Sequence, residues 1–538
     1  MTFLNTTLSW LLRRRLPRIE GLKARPGDAQ QTVFRSLIGR GRRTEWGRKY
    51  GYGDIRSVRD FQQQVPVSSY EDLFPYIERV MKGEQNVLWS SPIRWFSKSS
   101  GTTNARSKYI PVSSEALDDC HFKGGKDMMA LYVANRPDTR VFEGKGLSIG
   151  GSLHANPYGR DSATGDISAV VMKNLPAWGQ VIRTPSLDVA LMDEWEAKID
   201  RMAQITAQEN VTSILGVPTW TMVLIQRILA QTGKESILEV WPNFEVFIHG
   251  AVAFQPYRSL FSEHVFGGNN VGFQEVYNAS EGYFAIQDDM SRANEMMLMP
   301  DYGIFYEFVP VEEVDKPFPK AYTIEEVELN RNYALIISTN AGLWRYRIGD
   351  TVRFTSLYPH RIRVSGRTKH FINAFGEEVI VENAETAITQ ACRVTGAVIA
   401  DYTAGPVYMQ HDRVSGHQQG GHEWVIEFAR EPNSLTEFTQ VLDDTLRQVN
   451  SDYDAKRYHD MALVLPVVHA VPAGTFYAWM RQRGKVAPQP EACIVHQGMD
   501  RDSPLLEHLV EILGRVPVRE VESHDLDGNP IGLPNLGA

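Results

Sequence analysis

Three cysteines in 538 residues, Cys120, Cys392 and Cys493, are too few and too widely spaced for a disulfide framework or a thiolate metal cluster. The odd count fits a reducing cytoplasm, and all three read as buried, inert thiols. No apolar run approaches the ~18 residues that a membrane-spanning helix needs. No secretory signal is expected either, because the basic cluster Arg13-Arg14-Arg15 follows the apolar Leu8-Ser9-Trp10-Leu11-Leu12, the reverse of a signal's order. That short stretch is read as a helix docking on the body, not as an interfacial membrane helix. Excess positive charge is also lacking. Lys and Arg number 56 against 65 Asp and Glu, a net of -9, which argues against a general nucleic-acid binder. Neither nucleic acid nor membrane is therefore expected as a partner. What is left is an ordinary globular composition, 43% hydrophobic and 22% charged, in a chain long enough for about two to four domains. No internal repeat is visible.

The first 90 residues read as helical, with Val33, Leu37 and Phe61 at helical spacing. Ser69 and Asp72 form a Ser-x-x-Asp cap that opens the next helix. From about residue 141, short apolar runs alternate with helical segments, as in α/β proteins. Leu191, Trp195, Ile199, Met202 and Ile205 mark one helix face. Val211 to Val217 reads as a buried strand, and Pro218 suits the first turn of a helix ending near Gly233. Phe244 to Ile248 is a further buried strand that delivers His249 to its C-terminal end, where ligands bind in α/β sheets. A histidine bonded to a loop carbonyl is the plainer alternative. A second unit begins near residue 367, with a Gly-Gly and Gln-rich loop at 415–421, a helix at 434–450 and a strand near 462–469. His411, His417 and His422 sit in that loop without metal-site spacing. The tail from about Arg515, punctuated by Gly and Pro, reads as loosely ordered.

Against this background one stretch concentrates donors. Ser97-Lys98-Ser99-Ser100-Gly101-Thr102-Thr103 follows the apolar Ile93-Arg94-Trp95-Phe96, and Lys108 comes shortly after. Backbone N–H groups and hydroxyls of such a turn can converge on phosphate oxygens, with Lys108 as a point charge. It is not a Walker loop, since the Gly-Lys-Ser/Thr ending is missing. Alone it is as readily a surface Ser/Thr turn. Two further segments share its character. Tyr277-Asn278-Ala279-Ser280-Glu281-Gly282 follows a Gly-rich turn and sets a hydroxyl beside a carboxylate. One carboxylate, Glu281, suffices for a hard divalent cation whose other oxygens come from polyphosphate, and Tyr277 or Tyr283 can stack on a base. The alternative is a helix N-terminus capped by Asn278 or Ser280. Tyr346-Arg347-Ile348-Gly349-Asp350 follows the strand Leu335-Ile336-Ile337-Ser338, and Asp350 can accept from two ribose hydroxyls. Alternatively Asp350 turns a hairpin into Val352-Arg353-Phe354.

In this order the segments resemble those of the acyl-adenylating superfamily that includes firefly luciferase and acyl-CoA ligases. In detail they are similar to the three nucleotide motifs of the Gretchen Hagen family of acyl-acid amido synthetases, the auxin- and jasmonate-conjugating family of plants, in its bacterial branch. Pro66 to Leu73, Phe305-Tyr306-Glu307-Phe308, Gly342 to Glu385, Ser451-Asp452-Tyr453 and Gly474-Thr475-Phe476-Tyr477 extend the likeness over nearly the whole chain. The resemblance implies a mixed α/β fold. A large N-terminal acyl-adenylating domain, 1–366, would bind nucleotide and acyl group, beside a smaller mobile α/β C-terminal domain, 367–538. Arg367 and Lys369 match the superfamily's hinge. The implied chemistry is attack of a carboxylate on the α-phosphorus of ATP, then attack of an amine on the acyl carbon. On this reading Ser99, Ser100, Thr102, Thr103 and Lys108 serve the phosphates, and Glu281 holds magnesium. Asp350 takes the ribose, Ser280, Tyr277 and Tyr346 lie close to the nucleotide, and Arg367 reaches ribose or phosphate. ATP and Mg are the implied cofactors, and a carboxylic acid and an amine or amino acid the implied partners. Trp220, Met222, His249 and Phe254 are guesses for the acyl pocket, and each is as readily plain core.

The chain departs from the family in two places. Ala105 stands where many relatives have glycine. Near the C-terminus, Glu491 occupies the place of a lysine that bridges the acyl carboxylate and the α-phosphate, and a glutamate there opposes two anions. Lys485 is the candidate substitute. The competing functions are therefore a thioester-forming ligase using coenzyme A, and a silent binder of nucleotide or acyl-adenylate.

Overall fold

Six helices open the chain: α1 (Phe3–Arg13), α2 (Leu16–Ala24), α3 (Pro26–Gly41), α4 (Glu45–Lys49), α5 (Val58–Gln64) and α6 (Tyr70–Met81). Local chemistry sets their starts. Proline occupies the first turn of α2 and of α3, where its missing N–H costs nothing. Ser57 with Asp60 and Ser69 with Asp72 close reciprocal capping boxes on α5 and α6, the second as the sequence predicts. Val33, Phe34, Leu37 and Ile38 on α3, and Leu73, Ile77 and Val80 on α6, point into one core shared with the central sheet. The computed structural model describes residues 2–99, 108–159, 161–250, 254–268, 271–314, 316, 318–368, 371–372, 379–408, 420–457 and 463–482.

Two units form. The first comprises the residues up to Phe254 together with Val265–Ser365, and the second comprises Gln255–His264 and the described residues from Gly366 on. Two sheets build the first unit, among the described residues. The smaller, in the order β2-β1-β5-β4, contains β1 (Trp95–Ser99), β2 (Lys108–Val112), β4 (Leu153–Ala155) and β5 (Ala163–Gly165). The larger has eleven strands. One half is parallel, in the order β6-β3-β7-β8-β9: β3 (Lys145–Ser148), β6 (Arg183–Thr184), β7 (Val211–Gly216), β8 (Val246–Gly250) and β9 (Gly272–Ala279). The other half continues from β9 through β10 (Gly282–Ile286), β11 (Met296–Leu298), β15 (Arg361–Arg367), β14 (Tyr346–Ser356), β13 (Asn332–Thr339) and β12 (Ile304–Pro310). The apolar runs predicted near 211 and 244 are β7 and β8, buried on both faces as parallel strands are. Pro218 opens a helix that runs to Thr232 and stops at Gly233, in the left-handed conformation, as expected.

One expectation shifts here. The helix face said to start at Leu191 starts at Trp195, because the Glu194 carboxylate caps that end and Leu191 closes a shorter helix, Leu187–Ala190.

The second unit has its own core around Ile388, Ile399, Trp424, Ile426, Phe438 and Leu442. Helix Val381–Thr395 and helix Leu435–Val449, the second where the sequence predicts one and capped by Ser434, accompany β18 (Val398–Tyr408), β19 (Gly420–Arg430) and β20 (Val467–Val471). Immediately before the first of these helices comes the short antiparallel pair β16 (Phe371–Ile372) and β17 (Val379–Ile380). Two corrections follow. Gly420, Gly421 and His422 are not loop but the start of β19, and His422 is buried 5.2 Å from the Tyr453 ring. The strand foreseen near 462–469 is β20, five residues from Val467, paired in parallel with β19. His411, His417, Cys493 and the tail lie outside the described residues.

Candidate nucleotide and acyl site

The donor-rich stretch is a hairpin arm. β1 and β2 pair antiparallel with Ser99 opposite Lys108, so the ends of the turn are fixed. Its Ser100, Thr102 and Thr103, like Lys369, Lys485 and Glu491 elsewhere, lie outside the described residues, as does the Ser99 side chain. β1 also carries the fully buried Ser97, whose Oγ donates to Ser280 Oγ at 2.9 Å. That bond joins the first motif to the second across 183 residues.

Ser280 and Glu281 are the two-residue turn between β9 and β10, with Ala279 paired to Gly282. The helix-terminus alternative for this motif is thereby replaced. Glu281 owes its place to a hairpin, which leaves its carboxylate half-buried at a strand end. The alternative for Asp350 falls as well, since it turns no hairpin. β14 runs unbroken from Tyr346 to Ser356, and its register against β13 jumps from Arg347–Ile336 to Thr351–Ala334. Ile348, Gly349 and Asp350 therefore lie in a bulge, and Gly349 takes φ +99°, a left-handed conformation that a side chain disfavours. Bulges re-aim side chains. Here the result is a bond: Tyr277 Oη on β9 donates to Asp350 Oδ2 at 2.5 Å. The second and third motifs are thus tied together.

Lys108 and Glu281 share a neighbour that sequence reasoning passed over. Tyr70, the first residue of α6, accepts a hydrogen bond from the Tyr109 N–H at 2.7 Å, and the Lys108 ammonium lies 5.6 Å from its ring centroid. Burial pushes the Tyr70 phenol up to about 12, and the negative charge of Glu281 adds to the rise. The phenol therefore keeps its proton. The signal for Tyr70 was present in the sequence, because the Ser69–Asp72 cap fixes it on the first helical turn. Ser97 gave no signal beyond its membership of the Ser-rich run.

Family comparisons agree with this geometry. The GH3 family N-terminal domain matches residues 15–271, the GH3 family central domain 297–367 and the GH3 family C-terminal domain 382–490. The chain belongs to the GH3 family. Relatives include "Indole-3-acetic acid-amido synthetase GH3.3" of Arabidopsis thaliana, 23% identical over 527 residues, covering 85% of this chain and 87% of the relative. "Indole-3-acetic acid-amido synthetase GH3.8" of Oryza sativa subsp. indica is 26% identical over 449 residues, covering 70% and 72%. "4-substituted benzoates-glutamate ligase GH3.12" of Arabidopsis thaliana is 22% identical, covering 86% and 91%. Among solved structures, "GH3.15 acyl acid amido synthetase" superposes with TM-score 0.75 at 17% identity, covering 95% of this chain and 98% of that one. A 2-hydroxyisobutyryl-CoA ligase in the postadenylation state superposes with TM-score 0.56 at 11% identity, covering 91% of both. Both likenesses concern the fold, which is that of GH3 proteins and acyl-adenylating ligases.

In this GH3 chain the remaining sequence candidates divide. Tyr346 is fully buried in the core, paired to Ile337, and offers no exposed ring face to a base. Tyr283 is likewise core, edge-on to Tyr302 at 6.2 Å. Tyr277 is nearly as buried, and its contribution is the hydroxyl. Arg367 closes β15. Of the acyl-pocket guesses, His249 and Phe254 come together at the C-terminal end of β8, rings stacked 3.9 Å apart, with Phe273 4.9 Å from Phe254. Trp220 is buried on the first turn of the helix Pro218–Thr232, edge-on to Trp195 at 4.6 Å, and Met222 is half-buried on the same helix.

Proposed function

We propose that this GH3 protein is an ATP-dependent acyl-acid amido synthetase. The observation that carries the reading is the pair of bonds Ser97–Ser280 and Tyr277–Asp350, which link three motifs widely separated along the chain. The relatives' names favour a carboxylic acid donor and an amino-acid acceptor. In the first step a carboxylate oxygen attacks the α-phosphorus of ATP and pyrophosphate leaves. In the second, an amine attacks the acyl carbon, AMP leaves with the bonding pair, and the amine loses a proton. A carboxylate is a poor acyl donor and AMP a good leaving group, so the protein's work is positioning and charge stabilisation.

Asp350, oriented by the Tyr277 hydroxyl, binds the ribose. Lys108 and the hydroxyls of Ser99, Ser100, Thr102 and Thr103 hold the phosphates. The half-buried Glu281 carboxylate is a hard oxygen ligand suited to magnesium, which when bound with the nucleotide neutralises phosphate charge. Residues 1–366 carry these groups, and residues 367–538, with Arg367 at their start, turn between the two steps. His249 and Phe254 face the acyl group. The scarcity of cysteine supports a cytoplasmic location.

Release of pyrophosphate from ATP with a panel of carboxylic acids, followed by mass analysis of the product formed with each amine, tests this. Thioester formation with coenzyme A in place of amide formation would change the acceptor class. Glu491 favours a second reading, a protein that binds nucleotide or acyl-adenylate without making it. Glu491→Lys is then expected to raise pyrophosphate release at least ~10-fold, the effect of restoring one charge contact in the transition state. An unchanged rate would give the glutamate another task.

A further inference from the structure

The first helix turns most of its apolar surface outward. Its polar Asn5 and Ser9 face the body, both buried, and Asn5 Nδ2 donates to Thr139 O at 2.9 Å while its Oδ1 accepts from Phe142 N–H at 3.1 Å. Four of its six large apolar residues face out, Phe3 88% exposed, Trp10 57%, Leu4 50% and Leu11 47%, while Leu8 and Leu12 are half-buried and Leu12 packs on the core. At 3.6 residues per turn these four and Arg14 fall within a stripe of about 120°, opposite Asn5 and Ser9. A helix that merely docks on a protein buries the other face.

Charge says what covers the stripe. Arg14 lies over the Trp10 ring at 4.9 Å, and Arg13 donates to Pro137 O at 3.0 Å. Neither forms an ion pair with a carboxylate among the described residues, whereas the next arginines, Arg15 and Arg18, are spent on Asp127 and Asp301. Residues 1–60 contain 14 Lys and Arg against 5 Asp and Glu, a net of +9, so the rest of this chain of net -9 carries -18. A second copy across a two-fold axis would set Arg13 and Arg14 against their own images. Nor does the patch reach the ~800 Å² per partner of a stable interface, since even an aromatic side chain offers only ~150–250 Å².

We propose that α1 docks this protein on an anionic phospholipid surface, with Phe3, Leu4, Trp10 and Leu11 entering the headgroup–acyl boundary and Arg13 and Arg14 meeting lipid phosphates. Trp at such a boundary keeps its ring in apolar surroundings and its N–H in contact with water. This inference is independent of the ligase reading.

The test is co-sedimentation of the full chain with vesicles of phosphatidylcholine alone or mixed with phosphatidylglycerol. Binding is expected to the mixed vesicles and to fall as salt rises. Arg13→Glu/Arg14→Glu and Trp10→Ala/Leu11→Ser should each weaken it at least ~10-fold, while circular dichroism and pyrophosphate release in solution stay unchanged. Equal binding to neutral and anionic vesicles, or none to either, overturns the proposal. So does a concentration-dependent dimer in sedimentation velocity that Trp10→Ala/Leu11→Ser abolishes, because the stripe would then belong to a second copy.

Discussion

Tyr277 and Asp350 share a 2.5 Å hydrogen bond although their strands, β9 and β14, stand four steps apart in the order β9-β10-β11-β15-β14. Strands neighbour each other at ~4.8 Å, so a flat sheet would hold the two residues ~19 Å apart. This part of the sheet must therefore curl upon itself, and the bulge at Gly349 helps to turn Asp350 inward. Asp350→Ala is expected to lower adenylation at least ~100-fold. Tyr277→Phe, which keeps the carboxylate but frees its orientation, should cost about 10-fold, mostly as a higher KM for ATP, in line with one hydrogen bond to a charged group. Steady-state pyrophosphate release against ATP concentration separates the two, and equal losses would mean that Tyr277 does more than orient.

Glu281 sits on a hairpin turn whose neighbour Ser280 is pinned to Ser97. Glu281→Ala should lower turnover at least ~100-fold and raise the magnesium concentration needed for half-maximal rate. Ser97→Ala, which leaves the carboxylate in place, should cost much less. Magnesium titrations of both variants provide the measurement.

Arg345, just ahead of the third motif, is part of the scaffold. Its guanidinium donates to both Glu307 oxygens, at 2.9 and 3.0 Å, and to the carbonyls of Gln62 and Val65, with both side chains almost fully buried. Removing one partner strands a buried charge, so Arg345→Met should destabilise the first unit by about 3–5 kcal/mol. Arg345→Met/Glu307→Leu should recover much of that. Denaturant midpoints of the three proteins check it.

His121 is buried, and burial alone lowers its imidazole from the usual 6.5 to about 4. The unfolded chain therefore takes up a proton that the fold refuses, and stability falls as pH drops from 6.5 towards 4. At pH 4 this one group accounts for up to ~3 kcal/mol. His121→Leu should flatten the pH dependence of the unfolding midpoint over that window and leave it unchanged above pH 7. A wild-type slope in the variant would assign the acid sensitivity to other groups.

Local chemistry was legible in the sequence wherever one segment decides its own form. The capping box at Ser69, the proline start at Pro218, the left-handed stop at Gly233 and the doubly buried strands β7 and β8 follow from residue type and spacing. The order of the three motifs was enough to suggest the family and with it the α/β fold. What stayed hidden depended on partners distant in the chain. Whether Ser280-Glu281 caps a helix or turns a hairpin is settled by β10 pairing back on β9, and whether Asp350 turns or bulges is settled by its register against β13. Tyr346 and Tyr277 look alike in sequence, yet one is sealed in the core and the other holds a carboxylate. Even the amphipathic pattern of α1 gave no direction, because hydrophobicity tells which residues share a face but not which face meets protein. There the carbonyl of Thr139 and the N–H of Phe142 decided, since a buried backbone group without a partner costs more than an apolar side chain left in water.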